Sequence, residues 1–256
     1  MTDQIKITES KGVLEICFAR PDKKNALTNE MYRAAREALT GAQQNNAIRV
    51  VLFSAEGNAF TAGNDLGDFA KVSAGQGGEP QAHAFIEALG RATKPIVAAV
   101  PGVAVGVGTT MLLHCDLVYV AETAKLTAPF VNLALVPEAA SSLLLPARIG
   151  YVRAFAVFAL GESISGAEAV SLGLANKALP QNEVIVAARA AAMTLASKPA
   201  GSILATKNLM RDANALLARM QQESVLFGER LKSDEAREAF SAFAERRQPD
   251  FSKFAS

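Results

Sequence analysis

The sequence predicts an α/β core followed by a helical C-terminal part, on three observations. Short apolar runs alternate with helical patterns up to Ala140, and the patterns after it are almost all helical. Half of the 256 residues are apolar, enough for a sizeable core.

Taken in chain order, residues 13–18, 50–53, 96–100 and 117–120 read as strands, several of them apolar on both faces. Residues 28–43 read as a helix. Thr28 suits the N-cap, Met31, Ala34, Ala35, Ala38 and Leu39 form an apolar stripe, and Gly41 stands near the exit. Residues 73–80 (SAGQGGEP) read as a mobile surface loop within the domain, because strand patterning resumes after them. Residues 167–172, 182–197 and 200–219 carry apolar residues at helical spacing. The Ala-rich stretch 184–195 reads as buried on more than one side. Residues 234–247 are amphipathic, with Ala236, Ala239, Phe240 and Phe243 on one face. The expected division is a core over 1–195 and a helical region over 196–256.

Composition excludes several classes. The formal charge is +1, so neither a nucleic-acid partner nor a solvating acidic arm is indicated. Cys17 and Cys115 do not make a disulfide framework, the N-terminus has no apolar signal region, and no apolar run suits a membrane span. The expectation is a cytoplasmic globular protein.

Three segments are candidates for chemistry. In residues 58–66 (NAFTAGNDL), a tight turn over Ala62, Gly63, Asn64 and Asp65 can aim backbone N–H groups, Asn64's above all, into a cleft. It can equally be an ordinary turn capped by Asn64 or Asp65. In residues 101–110 (PGVAVGVGTT), Gly102, Gly106 and Gly108 open a helix expected over 109–114. They let the backbone approach a ligand, or they simply pack tightly. The loop is neither a phosphate-binding Walker loop nor a dinucleotide fingerprint, since Gly-Lys-Ser/Thr is missing and the third glycine would fall on Met111. Two backbone-donor loops at strand ends fit an oxyanion hole better together than either does alone. In residues 126–146, Glu138 is the one acid of an apolar stretch. It is either desolvated and reactive or a surface cap for a helix over 139–149.

In this order the segments resemble the crotonase superfamily of enoyl-CoA hydratases and isomerases. The resemblance runs nearly end to end, from RPDKKNAL through FTAGNDL, KPIVAAVPGVAVGVG, CD and LGLANKAL to AFAERRQPDF. It implies a spiral of ββα units with C-terminal helices that form a homotrimer or homohexamer. It also implies an acyl-CoA thioester as substrate, with coenzyme A as part of that substrate and no separate cofactor or metal. The oxyanion donors implied are the N–H groups of Asn64 and Val107. Gly63, Asp65, Leu66, Gly106, Thr110 and Phe130 would line the substrate, and the adenine end of coenzyme A would lie near Ala26 and Ala62. Lys23, Lys24 and C-terminal basic residues are candidates for its phosphates.

Departures from the family pattern narrow the reaction. The two glutamates of the hydratases fall on Thr110 and Phe130, neither of which can activate water. Glu138 instead matches the acid of Δ3-Δ2-enoyl-CoA isomerases, and FVNLALVPE and AGNDLGDF look like the peroxisomal-type isomerases. One carboxylate suits a reaction that removes a proton from C2 and returns it at C4, and Phe130 would help keep such a site dry. The rivals are a hydratase or another acyl-CoA lyase on the same fold, and a non-catalytic acyl-CoA-binding member.

Other residues read as structural. His83 and His114 lack a third partner at metal spacing, and Cys115 abuts a buried strand. Asp65 caps or braces its turn, and Met193, Met210 and Met220 fill the core. Residues 229–247 read as a solvated or intersubunit helix face.

Overall fold

A computed structural model describes residues 2–68 and 79–254. Most of the expected 73–80 loop therefore lies outside the described residues.

The chain builds two sheets. The larger has the order β1 (Ile5–Ser10), β2 (Val13–Phe18), β3 (Val50–Ala55), β5 (Ile96–Val100), β7 (Leu117–Ala121), β10 (Lys177–Leu179). Only β1, paired to β2, runs antiparallel; the remaining pairs are parallel. The four expected strands are its centre. Val50, Val51, Leu52 and Phe53 are fully buried, as their unbroken apolar run requires of a strand covered on both faces.

The smaller sheet has the order β4 (Ala59–Thr61), β6 (Val103–Val105), β8 (Lys125–Thr127), β9 (Ile164–Ser165). After the first hairpin, the chain alternates between sheets. Strands β3, β5 and β7 join the larger sheet, and each is followed by a short strand of the smaller one. β4, β6 and β8 are mutually parallel, with Ala59 opposite Val103 and Ala104 opposite Leu126. Parallel neighbours bring their C-terminal ends side by side, where open α/β sheets place their ligands. The three candidate segments leave the sheet at these three ends.

Helix α1 (Asn29–Gln44) is capped as expected, Thr28 accepting from the Met31 N–H. Gly41 lies within it, and its carbonyl accepts from Asn45. Helix α2 (Ala82–Arg91) packs on α1. Helix α3 (Val107–Thr110) starts two residues before the expected 109 and continues as a 3₁₀ turn, Met111–His114. Then follow α4 (Ser141–Ile149), α5 (Tyr151–Phe155) and α6 (Gly166–Ser171), the last with a capping box between Ser165 and Glu168.

Four longer helices complete the chain: α7 (Gln181–Ser197), α8 (Ala200–Met210), α9 (Ala213–Leu231) and α10 (Asp234–Ala244). Three corrections arise here. The expected helix over 200–219 is broken at Arg211 and Asp212, where Asp212 caps α9 by accepting from Ala215. α7 is buried along one stripe, Val184, Ala188, Ala192 and Ala196, and not on several sides. Alanine is apolar enough to suggest burial and small enough to sit at a surface. Met193 and Met210 are exposed, as is Phe243, while Met220 is buried.

Candidate active site

Two backbone N–H groups beyond the ends of β4 and β6, those of Asn64 and Val107, have no acceptor among the described residues. Asn64 pairs with Leu27 as an isolated parallel bridge, in which Leu27 donates to Gly63 C=O (2.8 Å) and accepts from Asp65 N–H (2.9 Å). Backbone groups of successive extended residues alternate in direction. The N–H of Asn64 therefore faces away from Leu27, and none of the described residues accepts it. On that far side lies the end of β6, so close that a Cβ on Gly63 would sit 3.0 Å from Val105 C=O.

Two residues beyond Val105, Val107 opens α3. The first N–H of a helix has no intrahelical acceptor, and that of Val107 finds none elsewhere among the described residues. The glycines before it do different work. A Cβ on Gly102 would sit 2.0 Å from Asn58 C=O, and one on Gly108 2.5 Å from the Thr61 methyl, so both serve tight packing. Gly106, with φ 57° and ψ −118°, has open space where a Cβ would be. Only its backbone turn reverses the chain into α3.

The turn itself is braced. Asn25, fully buried, accepts from Arg20 N–H (2.7 Å) and donates to Glu56 C=O (2.9 Å) and Ala59 C=O (2.8 Å). These bonds, and the bond from Ala62 N–H to Lys24 C=O (2.9 Å), lay residues 24–27, Ala26 among them, beside residues 62–65. Asp65 accepts from Arg20 (2.7 Å) and from Asp68 N–H (3.0 Å). Burial works to raise its pKa, but these hydrogen bonds outweigh it and bring it below the usual value. Asp65 is thus a brace, as expected.

Asn64, Asp65 and Glu138 line one cavity of about 440 Å³, walled by Leu27 ahead of α1, Tyr32 of α1, Ile86 of α2, and Met220, Phe227 and Leu231 of α9. Glu138 is half-buried at its wall. Burial first, and then the negative charge of Glu223, push its pKa from 4.5 up to about 7. None of the described residues donates a hydrogen bond to its carboxylate. Among the described residues, the other two lining acids are engaged. Asp65 holds Arg20, and Asp68 accepts the N–H of Asn29 at 2.6 Å. Glu138 does not cap α4, whose N-cap is Ala140, so of its two readings the geometry favours the desolvated one.

The structure separates other candidates from this cavity. Thr110 is buried, its hydroxyl turned back to Val107 C=O (3.4 Å). Phe130 is buried against Phe158, ring centres 6.3 Å apart, and is not part of the cavity wall. Leu66 is half-buried in the helical turn at 66–68, also outside the lining. The apolar cover comes instead from α1, α2 and α9. Sequence reasoning missed Tyr32, whose hydroxyl donates to Asn64 Oδ1. It also missed the whole α9 wall, and His83, read as structural, stands at the cavity. Cys115 is core, its thiol pushed up to about 12 by burial and the neighbouring Asp116.

Comparison with known proteins follows this geometry. The enoyl-CoA hydratase/isomerase family profile matches residues 8–253. The chain is 30% identical over 250 residues to enoyl-CoA delta isomerase 2 of Rattus norvegicus, covering 95% of this chain and spanning 64% of that protein's length. It is 29% identical to 2,3-dehydroadipyl-CoA hydratase of Escherichia coli, over 97% of this chain and 98% of the other. A solved enoyl-CoA hydratase/isomerase from Pseudoalteromonas atlantica superposes with a TM-score of 0.92 at 38% identity, covering 98% of this chain and all of that one. Fold, loop geometry and matched length agree: the chain belongs to the enoyl-CoA hydratase/isomerase family, within the crotonase superfamily.

Proposed function

We propose that this family member is a Δ3-Δ2-enoyl-CoA isomerase with Glu138 as its one acid/base group. The observation that carries the reading is Glu138 itself, a carboxylate to which none of the described residues donates a hydrogen bond, at the wall of a largely apolar cavity, with its pKa raised to about 7. Such a group is basic enough to take a proton from C2 and acidic enough to return it at C4. The thioester oxygen, negative in the dienolate, would lie between the N–H groups of Asn64 and Val107. The adenine end of coenzyme A is assigned to the paired segments at Ala26 and Ala62. Thr110 and Phe130, buried and uncharged, offer no second carboxylate to activate water. No separate cofactor enters this mechanism.

Offering the purified protein a 3-enoyl-CoA and, separately, a 2-enoyl-CoA tests the reading. The expected result is a product of unchanged mass from the first and no addition of water to the second. Rapid gain of one water by the 2-enoyl-CoA overturns it in favour of a hydratase. Binding of both thioesters without turnover overturns it in favour of a non-catalytic member.

A trimer or hexamer is part of the same reading. Tyr151 is 71% exposed, Val152 82%, Leu209 87% and Met210 84%, all on the helices after residue 140. Apolar side chains exposed to this extent support a subunit interface on these helices. Light scattering at micromolar concentration is expected to give three or six subunit masses, and an active monomer would contradict it.

A further inference from the structure

The turn that carries Glu138 is held in a conformation its own residues do not favour. Ala139 and Ala140 have φ of 64° and 52°. A residue with a Cβ stays in that region only where its surroundings hold it there. Here the surroundings grip one peptide group. The C=O of Ala139 and the N–H of Ala140 belong to the same peptide, which is trans, so they point in opposite directions. The C=O lies 2.7 Å from His114 Nε2. The N–H donates to Glu223 Oε2 at 2.6 Å.

Each gripping side chain is itself fixed. Arg211 donates to His114 Nδ1 at 2.6 Å; since a guanidinium only donates, Nδ1 is the acceptor and Nε2 carries the hydrogen given to Ala139. Burial, helped by the Arg211 charge, lowers the His114 pKa to about 3, so the ring stays neutral. Glu223 also accepts from Ser142 N–H (2.9 Å) and Ser142 Oγ (2.5 Å), filling from α9 the capping role that Ala140 lacks. His114 is 2% exposed and Glu223 5%, so water does not replace these bonds.

We propose that His114 and Glu223 are positioning residues for Glu138: by holding both ends of the Ala139–Ala140 peptide they fix where the adjoining carboxylate enters the cavity. Rotation of that peptide would break both bonds and re-aim Glu138. The proposal rests on the reading of Glu138 as the base. Glu223 has a second effect, because its charge adds to the burial that raises Glu138. Among the described residues, the other titratable groups facing the cavity are Tyr32 of α1, His83 of α2, Asp65 and Asp68 after β4, and Lys232 beyond α9.

The test compares Glu223→Ala, Glu223→Gln, His114→Ala and Glu138→Gln in the full chain, measuring kcat, KM, affinity for a 2-enoyl-CoA and the pH–rate profile. Misplacing a base by about 1 Å costs on the order of 10²-fold. Glu223→Ala and His114→Ala are expected to lose turnover on that scale, with KM and thioester affinity held. Glu223→Gln keeps an acceptor oxygen and is expected to recover most of the rate, with its acid limb moved to lower pH because a neighbouring charge is gone. General loosening of the fold would lower the active fraction and leave the acid limb in place. If Glu223→Ala keeps wild-type kcat while Glu138→Gln is inactive, the positioning role is overturned and the base assignment stands. If Glu138→Gln is itself fully active, both fall. Should Glu223→Ala not fold, a folded His114→Ala with wild-type kcat overturns the proposal.

Discussion

Glu138→Gln is expected to reduce turnover by at least about 10²–10⁴-fold, with affinity for a product-like thioester retained. Glutamine keeps the shape of the side chain and removes the base. The other acids at the cavity are engaged, Asp65 with Arg20 and Asp68 with the N–H of Asn29, so neither is placed to substitute. The proposed oxyanion donors are backbone groups that this substitution leaves in place, so the loss should appear in kcat and not in binding. Wild-type activity should fall as pH drops below about 7, where Glu138 takes up a proton. The same shift sets a stability effect. Between 4.5 and about 7 the folded chain holds a proton that the unfolded chain has released, so stability rises as pH falls through that window. Above it, the desolvated charge costs about 3 kcal/mol. Glu138→Gln removes that cost and should melt higher than wild type at pH 8. A variant that isomerises at the wild-type rate would place the base elsewhere.

Val107→Pro is expected to lose about 10²–10³-fold in turnover, the usual effect of deleting one oxyanion donor. Proline removes the N–H and fits the site for two structural reasons. Val107 is the first residue of α3, where proline is favoured. The residue before a proline must be extended. Gly106, at φ 57° and ψ −118°, is the mirror image of an extended conformation, and an achiral glycine meets the proline ring equally in either hand. Val107→Ala keeps the N–H and should remain close to wild type in rate. Turnover of both variants, with circular dichroism as the folding control, checks this. A folded Val107→Pro with full activity would remove Val107 from the oxyanion hole.

The parts of this fold that were legible in the sequence are those where one residue's surroundings decide its structure. The continuous apolar runs of β3 and β5 read as strands covered on both faces, and Val50–Phe53 and Ile96–Val100 are buried throughout, while β2, broken by Glu15, and β7 are buried less evenly. Thr28 caps α1 by a bond to Met31 that local spacing alone foresees. The strands of the smaller sheet were not legible, because two or three residues carry no period. β1 was missed because Ile7 is exposed and the alternation of IKITES is weak. At the site, the loops that supply Asn64, Val107 and Glu138 stood out by composition. Tyr32 and Glu223 did not, since their partners lie elsewhere in the chain. One signal was available for Glu223: Leu216, Met220, Glu223 and Phe227 recur at helical spacing, so an acid occupies a position in the core stripe of α9.

That stripe orders the events of assembly. The last strand, β10, ends at Leu179, so both sheets can be complete before α9 exists. Glu223 comes 83 residues after the Ala140 N–H it holds, and bringing such distant segments together carries a loop-closure cost that local pairing does not. In a chain made from its N-terminus, Asn64 and Val107 can take their places beside one another while the peptide next to Glu138 is still gripped at one end at most. All the strands of both sheets thus lie in the chain before the residue that finishes the turn carrying Glu138, and α9 brings Leu216 and Met220 to the core those sheets build at the same time as it brings Glu223 to that turn.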